Sequence, residues 1–144
     1  MSLCSIALNS CLTELWRVCA RLLTGPGMFA GRVDAAEGFF QRAVRVAPDH
    51  PGVLGNYAGF LQSYRKDYES AEHFYKESLL LKPDHVPSIC SYSTIVIEQH
   101  KNLQVGRDML ARALELQPNI DAVRERLADV DRRMQQPEHA FMPS

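Results

Sequence analysis

The 144-residue chain contains 16 lysines and arginines against 17 aspartates and glutamates, which gives a formal net charge of −1. That balance argues against the strongly basic classes of nucleic-acid and membrane-surface binders. Because 46% of the residues are hydrophobic, wholesale disorder is disfavoured as well, and the length predicts a single globular domain over residues 1–144.

The first segment of the chain has the pattern of an amphipathic helix, with apolar residues at helical spacing and polar residues on the opposite side. The pattern predicts a divergent N-terminal helix over residues 5–24, whose apolar stripe consists of Leu8, Cys11, Leu12, Leu15, Val18, Cys19 and Leu22. No Lys or Arg precedes this stretch and Glu14 interrupts it. It therefore does not match a secretory signal peptide.

The cysteines lack the spacing of a metal site or a redox pair. Cys4, Cys11, Cys19 and Cys90 form neither a CxxC motif nor a Cys/His cluster with zinc-ligand spacing. We therefore expect reduced thiols in an intracellular, cytoplasmic protein that uses no cofactor and no metal. The sequence also has no run of 18 apolar residues, so it predicts no membrane span.

An internal period of 35 residues dominates the rest of the chain. Proline closes three apolar helical segments, at Pro48, Pro83 and Pro118, because its ring clashes with the preceding turn of a helix. A small, a large apolar and a second small residue precede each proline in the same register. These are Ala36, Phe40 and Ala43 in repeat 1, Ala71, Tyr75 and Ser78 in repeat 2, and Gly106, Leu110 and Ala113 in repeat 3. Their spacing forms one stripe of a helix, where the small residues allow a neighbouring helix to approach closely.

In repeats 2 and 3, a second apolar stripe lies in the segment that precedes the stripe just described. Two apolar stripes in succession predict two helices, so each of these repeats is predicted to be a helical hairpin. Asp49, Asp84 and Asn119 follow the prolines and are expected to cap the next helix. The predicted elements are the second helix of repeat 1 (32–48), repeat 2 (51–83), repeat 3 (86–118), a capping helix (120–134) and a flexible tail (135–144). A single hairpin cannot bury its apolar faces alone, whereas stacked neighbours form a continuous core.

These repeats resemble tetratricopeptide repeats (TPR), whose second helix has small, aromatic and small residues before a closing proline. The resemblance covers residues 33–131 and implies an all-α, right-handed superhelical array of antiparallel helix hairpins, an α-solenoid. The period is 35 residues instead of the family's 34. The extra residue falls in the turn before Ala71 and Gly106.

In this family, the first helices line a concave surface that binds extended peptides or partner helices. The resemblance therefore implies a protein or peptide partner and a scaffold that contacts neither nucleic acid nor membrane directly. The family's site for chaperone tails combines lysines with asparagines, and here only Asn56 matches. The groove positions carried over are Asn56, Gly59, Gln62 and Ser63 in repeat 2, Cys90, Ser91, Thr94, Ile97 and Glu98 in repeat 3, and Arg126 on the capping helix.

The sequence contains no pattern that indicates an enzyme. G-x-S-x-G, H-E-x-x-H, the P-loop and the Gly-rich nucleotide fingerprint are all missing. His50 and His85 both follow Pro-Asp in equivalent turns, so the repeat itself accounts for them. We expect a protein without catalytic activity.

Three alternatives depend on the same repeat. Pentatricopeptide repeats, which bind RNA, have a similar length but carry a bulky Met where this chain has Ala43, Ser78 and Ala113. Residues 52–62 and 87–97 also contain no Lys or Arg, although RNA binding requires a positive groove. A half-TPR-type scaffold of an RNA-processing complex stays open, because its repeat pattern overlaps with this one. The interpretation that this chain is a segment of a longer repeat array also stays open.

Overall fold

The computed structural model describes residues 29–136, in which α-helices are joined by short turns. No strand occurs between these limits, so the predicted all-α fold is confirmed. The predicted helix over residues 5–24 and the predicted tail from residue 137 onward lie outside the described residues. The helices are α1 (Phe29–Val46), α2 (Pro51–Phe60), α3 (Tyr68–Leu81), α4 (Val86–Glu98), α5 (Leu103–Leu116) and α6 (Asp121–Gln135).

The chain divides after Leu81 into two compact units. Helices α1, α2 and α3 belong to the N-terminal unit, and helices α4, α5 and α6 belong to the C-terminal unit. The most extensive packing in each unit joins the two helices of a predicted hairpin, α2 with α3 and α4 with α5. Each hairpin is supplemented by one further helix, since α1 packs on α2 and α6 packs on α5.

The prolines end their helices as expected. Helices α1, α3 and α5 all end two residues before a proline, at Val46, Leu81 and Leu116. The residue before a proline is disfavoured in the helical conformation, so each helix stops at the same point of the repeat.

The caps of the following helices differ from the prediction. The capping residue is the one after the expected acid or amide: His50 instead of Asp49, His85 instead of Asp84, and Ile120 instead of Asn119. Of the three, His50 alone makes a side-chain capping bond. His50 Nδ1 accepts a hydrogen bond from the backbone N–H of Val53 at 3.3 Å. The pair Pro-Asp occupies the turn itself, and the imidazole takes the position from which a side chain reaches the first free N–H groups.

The turns inside the two hairpins share an unusual backbone. Helix α2 continues into a π-helical turn, Leu61–Arg65, which accommodates one residue more than an α-helical turn. Lys66 follows with φ of 59°, and Lys101, one period later, has φ of 55°. Asp67 and Asn102 then cap α3 and α5 by accepting N–H bonds from Ser70 and Val105, each at 3.1 Å. The extra residue of the 35-residue period is thus absorbed in these turns.

The stripe predicted before each proline forms the buried side of α1, α3 and α5. Its large members are almost inaccessible, with Phe40 at 8%, Tyr75 at 1% and Leu110 at 0% exposure. The small members are buried as well; they are Ala36, Ala43, Ala71, Ser78, Gly106 and Ala113. Ser78 Oγ donates to the Pro51 carbonyl oxygen at 2.8 Å, which satisfies its buried hydroxyl.

At Gly106 in the C-terminal unit, α4 packs against α5 without room for a side chain. A Cβ atom placed on Gly106 would lie 2.8 Å from Cδ1 of Ile97 and closer still to its Cγ1. Ile97 is itself 3% exposed and has no space to withdraw. Gly106 is therefore required here, whereas Ala71 occupies the equivalent position in the N-terminal unit.

We expect Gly106→Ala to destabilise the protein by about 1–3 kcal/mol, the usual cost of overpacking a core. Gly59→Ala is the matched control, because a Cβ there would lie at an ordinary 3.5 Å from Tyr75 Oη. Removing a glycine from a helix interior should stabilise the control by up to about 1 kcal/mol. Urea unfolding followed by circular dichroism measures the free energy of unfolding of both variants. Equal changes in Gly106→Ala and Gly59→Ala would contradict the tight contact between Gly106 and Ile97.

We also expect Lys66→Gly to stabilise the protein by about 0.5–1 kcal/mol. The left-handed conformation costs a residue with a Cβ roughly 1–2 kcal/mol, part of which glycine loses again through its greater freedom in the unfolded chain. Lys66→Ala should bring no such gain, because alanine keeps the Cβ. Thermal unfolding compares the two variants, and a gain for alanine as large as that for glycine would refute the explanation.

Candidate partner-binding surface

A polar surface lies where α4 and α6 meet in the C-terminal unit. Cys90, Thr94 and Glu98 follow one another at intervals of four residues on α4 and thus share one side of that helix. Arg126 and Arg133 on α6 bond to this side. We call these five residues, together with the partly exposed Ser91, the α4–α6 surface.

The two arginines hold the helices together at different points. Arg133 Nη1 donates to Glu98 Oε1 at 2.9 Å, and the two side chains remain 36% and 48% exposed. Arg126 Nη1 donates to Thr94 Oγ1 at 2.6 Å and to the Cys90 carbonyl oxygen at 3.4 Å. Since Val130 between them is buried, α6 has a fixed orientation on α4 and α5.

The charge of Glu98 is stabilised by this arrangement. The hydrogen bond from Arg133 lowers the pKa of the Glu98 carboxyl, and the nearby charges of Arg133, Lys101 and Arg126 lower it further. Glu98 is therefore ionised at neutral pH, surrounded by three cations.

The Thr94 hydroxyl and the Cys90 thiol of the surface lie in settings that do not favour a nucleophile. The Thr94 hydroxyl donates to the Cys90 carbonyl oxygen at 3.3 Å, as does the buried Ser93 hydroxyl beside it, at 2.7 Å. Burial raises the pKa of the Cys90 thiol, and the charge of Arg126 only partly offsets this. A reactive cysteine requires the opposite shift.

Ile97 departs from the predicted groove. Its side chain is buried against Gly106 and belongs to the core of the α4–α5 hairpin. The prediction took Ile97 from the family's pattern and did not consider Gly106 on α5. Because Gly106 has no side chain, Ile97 can pack into the space beside it. We therefore remove Ile97 from the candidate surface.

The predicted groove residues of the N-terminal unit lie on α2 and its π-helical turn. Asn56 and Ser63 are exposed, and Gly59 is partly so. Gln62 Oε1 accepts a hydrogen bond from Tyr75 Oη at 2.9 Å, which ties this position to α3. Of the predicted groove residues in this unit, Asn56 and Ser63 are therefore the exposed ones.

Sequence reasoning missed one cluster in the N-terminal unit. Arg65, at the end of the π-helical turn, donates to Glu37 Oε2 at 2.7 Å and to Asp34 Oδ1 at 2.5 Å, both on α1. Tyr57 Oη also donates to Glu37, at 3.5 Å. These contacts join residues 20 to 31 positions apart, and no local pattern in the sequence signals them.

Residues 29–136 contain neither a membrane-spanning helix nor a metal-type cluster. No helix in this range combines the length and hydropathy that crossing a bilayer requires. The same range has no group of three His, Cys, Asp or Glu side chains placed to hold a metal ion.

We expect the pKa of Glu98 to be measurably below its ordinary value of 4.5 and to move back toward it in Arg133→Gln. Because the pKa of the folded state is lowered, the pair stabilises the protein above the pKa of the unfolded chain. The contribution is lost as pH falls through the pKa of the folded state. Carboxyl NMR titration measures the shift, with Arg112→Gln on α5 as the control, and an unmoved Glu98 titration in Arg133→Gln would disprove the pairing.

The comparisons with known proteins rest on structure alone. No protein-family model matches the chain, and no curated protein matches its sequence. Several solved structures share its fold. The first TPR domain of Spaghetti (RPAP3), bound to the HSP90 peptide SRMEEVD, is 17% identical with a TM-score of 0.71, and the match covers 88% of this chain and 96% of that one.

Two further structures agree. The Sgt2 TPR domain from Aspergillus fumigatus is 15% identical with a TM-score of 0.73, over 96% of this chain and 85% of that one. The Yersinia enterocolitica type III secretion chaperone SycD, in complex with a peptide of the translocator YopD, is 15% identical with a TM-score of 0.67, over 86% and 95%. The chain therefore has the fold of tetratricopeptide-repeat domains.

Proposed function

We propose that this protein is a non-enzymatic interaction scaffold that binds a peptide or helix of a partner protein through the first helices of its repeats. The observation that carries the proposal is the α4–α6 surface, where polar side chains are fixed between two helices and remain open to solvent. In the N-terminal unit, Asn56, Gly59, Gln62 and Ser63 on α2 are the proposed contacts.

The geometry supports binding because the surface is organised before the partner arrives. Thr94 and Glu98 are held by arginines of α6 at 2.6 and 2.9 Å. Fixing these side chains in advance lowers the entropy that association costs. Their partial exposure leaves hydroxyl, carboxylate and guanidinium groups available for hydrogen bonds to a peptide.

The structural neighbours support the class of ligand but not its identity. The Spaghetti (RPAP3) domain and SycD were solved with bound peptides, which makes a peptide the first choice for this fold. Residues 52–62 and 87–97 contain no lysine, however. We therefore do not carry the HSP90 tail over as the ligand of this chain.

The experiment is a selection of phage-displayed random 12-residue peptides on the purified protein, followed by affinity measurement with variants. We expect Ser91→Trp to weaken the selected peptides at least about tenfold, equivalent to roughly 1.4 kcal/mol, because the ring would cover the α4–α6 surface. Gln104→Trp on the exposed side of α5 is the matched control and should bind within about twofold of the wild type.

Three outcomes would count against the proposal. They are a selection that yields no peptide, binding that only Gln104→Trp disturbs, and binding that neither variant changes. Fluorescence anisotropy with labelled peptide gives the affinities, and circular dichroism establishes that each variant is folded.

A further inference from the structure

We propose that Arg126 and Arg133 form a subsite for an acidic side chain of the bound peptide, and that Glu98 occupies this subsite in the free protein. The inference rests on the proposed function and names the chemistry of the ligand. It follows from how charges are distributed over α6 and the adjoining side of α4.

Arg126 differs from the other arginines of α6 in its partners. Arg124, Arg132 and Arg133 each pair with a carboxylate, from Asp121, Asp129 and Glu98 respectively. Among residues 29–136, Arg126 bonds only to neutral oxygens, those of Thr94 and the Cys90 carbonyl. It is exposed, and both bonds use Nη1, so Nη2 and Nε have no partner within this range and can bind a carboxylate.

The surroundings of Arg126 are positive. Lys101, Arg126 and Arg133 all act on the single carboxylate of Glu98, so three positive charges face one negative charge and the cluster has a net charge of +2. Two acidic residues lie near Arg126 along α6. Glu125 adjoins it in the chain, and Asp129, three residues further on, is engaged by Arg132 at 3.2 Å. The chain as a whole is nearly neutral, and this excess is therefore local.

An incoming carboxylate fits this cluster better than Glu98 alone does. Glu98 reaches Arg133 through one oxygen, whereas a guanidinium can hold a carboxylate through two parallel hydrogen bonds. A peptide Asp or Glu can therefore bind the free edge of Arg126 and share or replace Glu98 at Arg133. Glu98 then competes with the ligand, so its removal should tighten binding.

A peptide fits these observations better than an RNA. A nucleic-acid strand requires a positive track along several nucleotides together with exposed aromatic side chains. Here three cations surround the single carboxylate of Glu98, and residues 87–97 of α4 contain no Lys or Arg, so no positive track follows α4.

The test uses the full chain and the same displayed library of random 12-residue peptides. We expect the selected sequences to be enriched in Asp and Glu. Arg126→Gln should weaken the best peptide by about tenfold or more, as the loss of a charge-assisted hydrogen bond predicts. Glu98→Gln should bind it more tightly, by about threefold or more, because the internal competitor is gone.

The controls separate charge from folding. Arg112→Gln removes an exposed arginine of α5 and should leave the affinity within about twofold. Arg126→Lys keeps the charge without the guanidinium and should lie between the wild type and Arg126→Gln. Circular dichroism melting shows which variants are folded.

The outcomes distinguish this inference from the proposed function. Peptides without acidic enrichment, bound equally by the wild type and Arg126→Gln, would overturn the acidic subsite and leave the scaffold function standing. Weaker binding in Glu98→Gln would overturn the competitor role. A 20-nucleotide single-stranded RNA that binds the wild type and is lost in Arg126→Gln would replace the peptide with a nucleic acid. A library that yields no peptide would count against both proposals.

Discussion

Close helix approach at the small residues of each repeat is the constraint on which the rest of this structure depends. Ala36, Ala71 and Gly106 are buried at the same point of α1, α3 and α5, where a larger side chain would separate the helices. In the C-terminal unit Ile97 fills the place beside Gly106. With Ile97 packed toward α5, Thr94 and Glu98 lie on the side of α4 that bonds to α6.

The ion pairs of Arg65 and Arg133 then orient α1 and α6 but add little to the free energy of unfolding. Arg65 links the end of α2 to α1, and Arg133 links α6 to α4. Both pairs are partly exposed, and surface ion pairs contribute little to folding because water and salt screen them. Their main effect is to hold side chains in one geometry, which is the property that a recognition surface requires.

Much of the helical architecture could be predicted, because it depends on patterns that are local in the sequence. Helices α1, α3 and α5 end two residues before their prolines, and the small and large stripe is buried in all three. The prediction placed the cap of α2 at Asp49, whereas the capping residue is His50, one residue later. Aspartate is the commoner capping residue, and the sequence alone does not show that the Pro-Asp pair lies in the turn before the helix. The candidate site was less accessible to prediction. Ile97 was predicted to be a groove residue, but its side chain packs beside Gly106, nine residues further along the chain.

The sequence by itself determined the repeat, its period, the ends of the helices and the side of each second helix that is buried. These features follow from proline sterics and from the spacing of apolar side chains, which act within a few residues. Only the tertiary structure decided the partners of the arginines that bond from one helix to another. Arg126 lies beside Thr94, 32 positions earlier, and Arg133 lies beside Glu98, 35 positions earlier. Such pairs are set by helix packing, because a guanidinium donates to any suitably placed oxygen and no local pattern in the chain marks that oxygen.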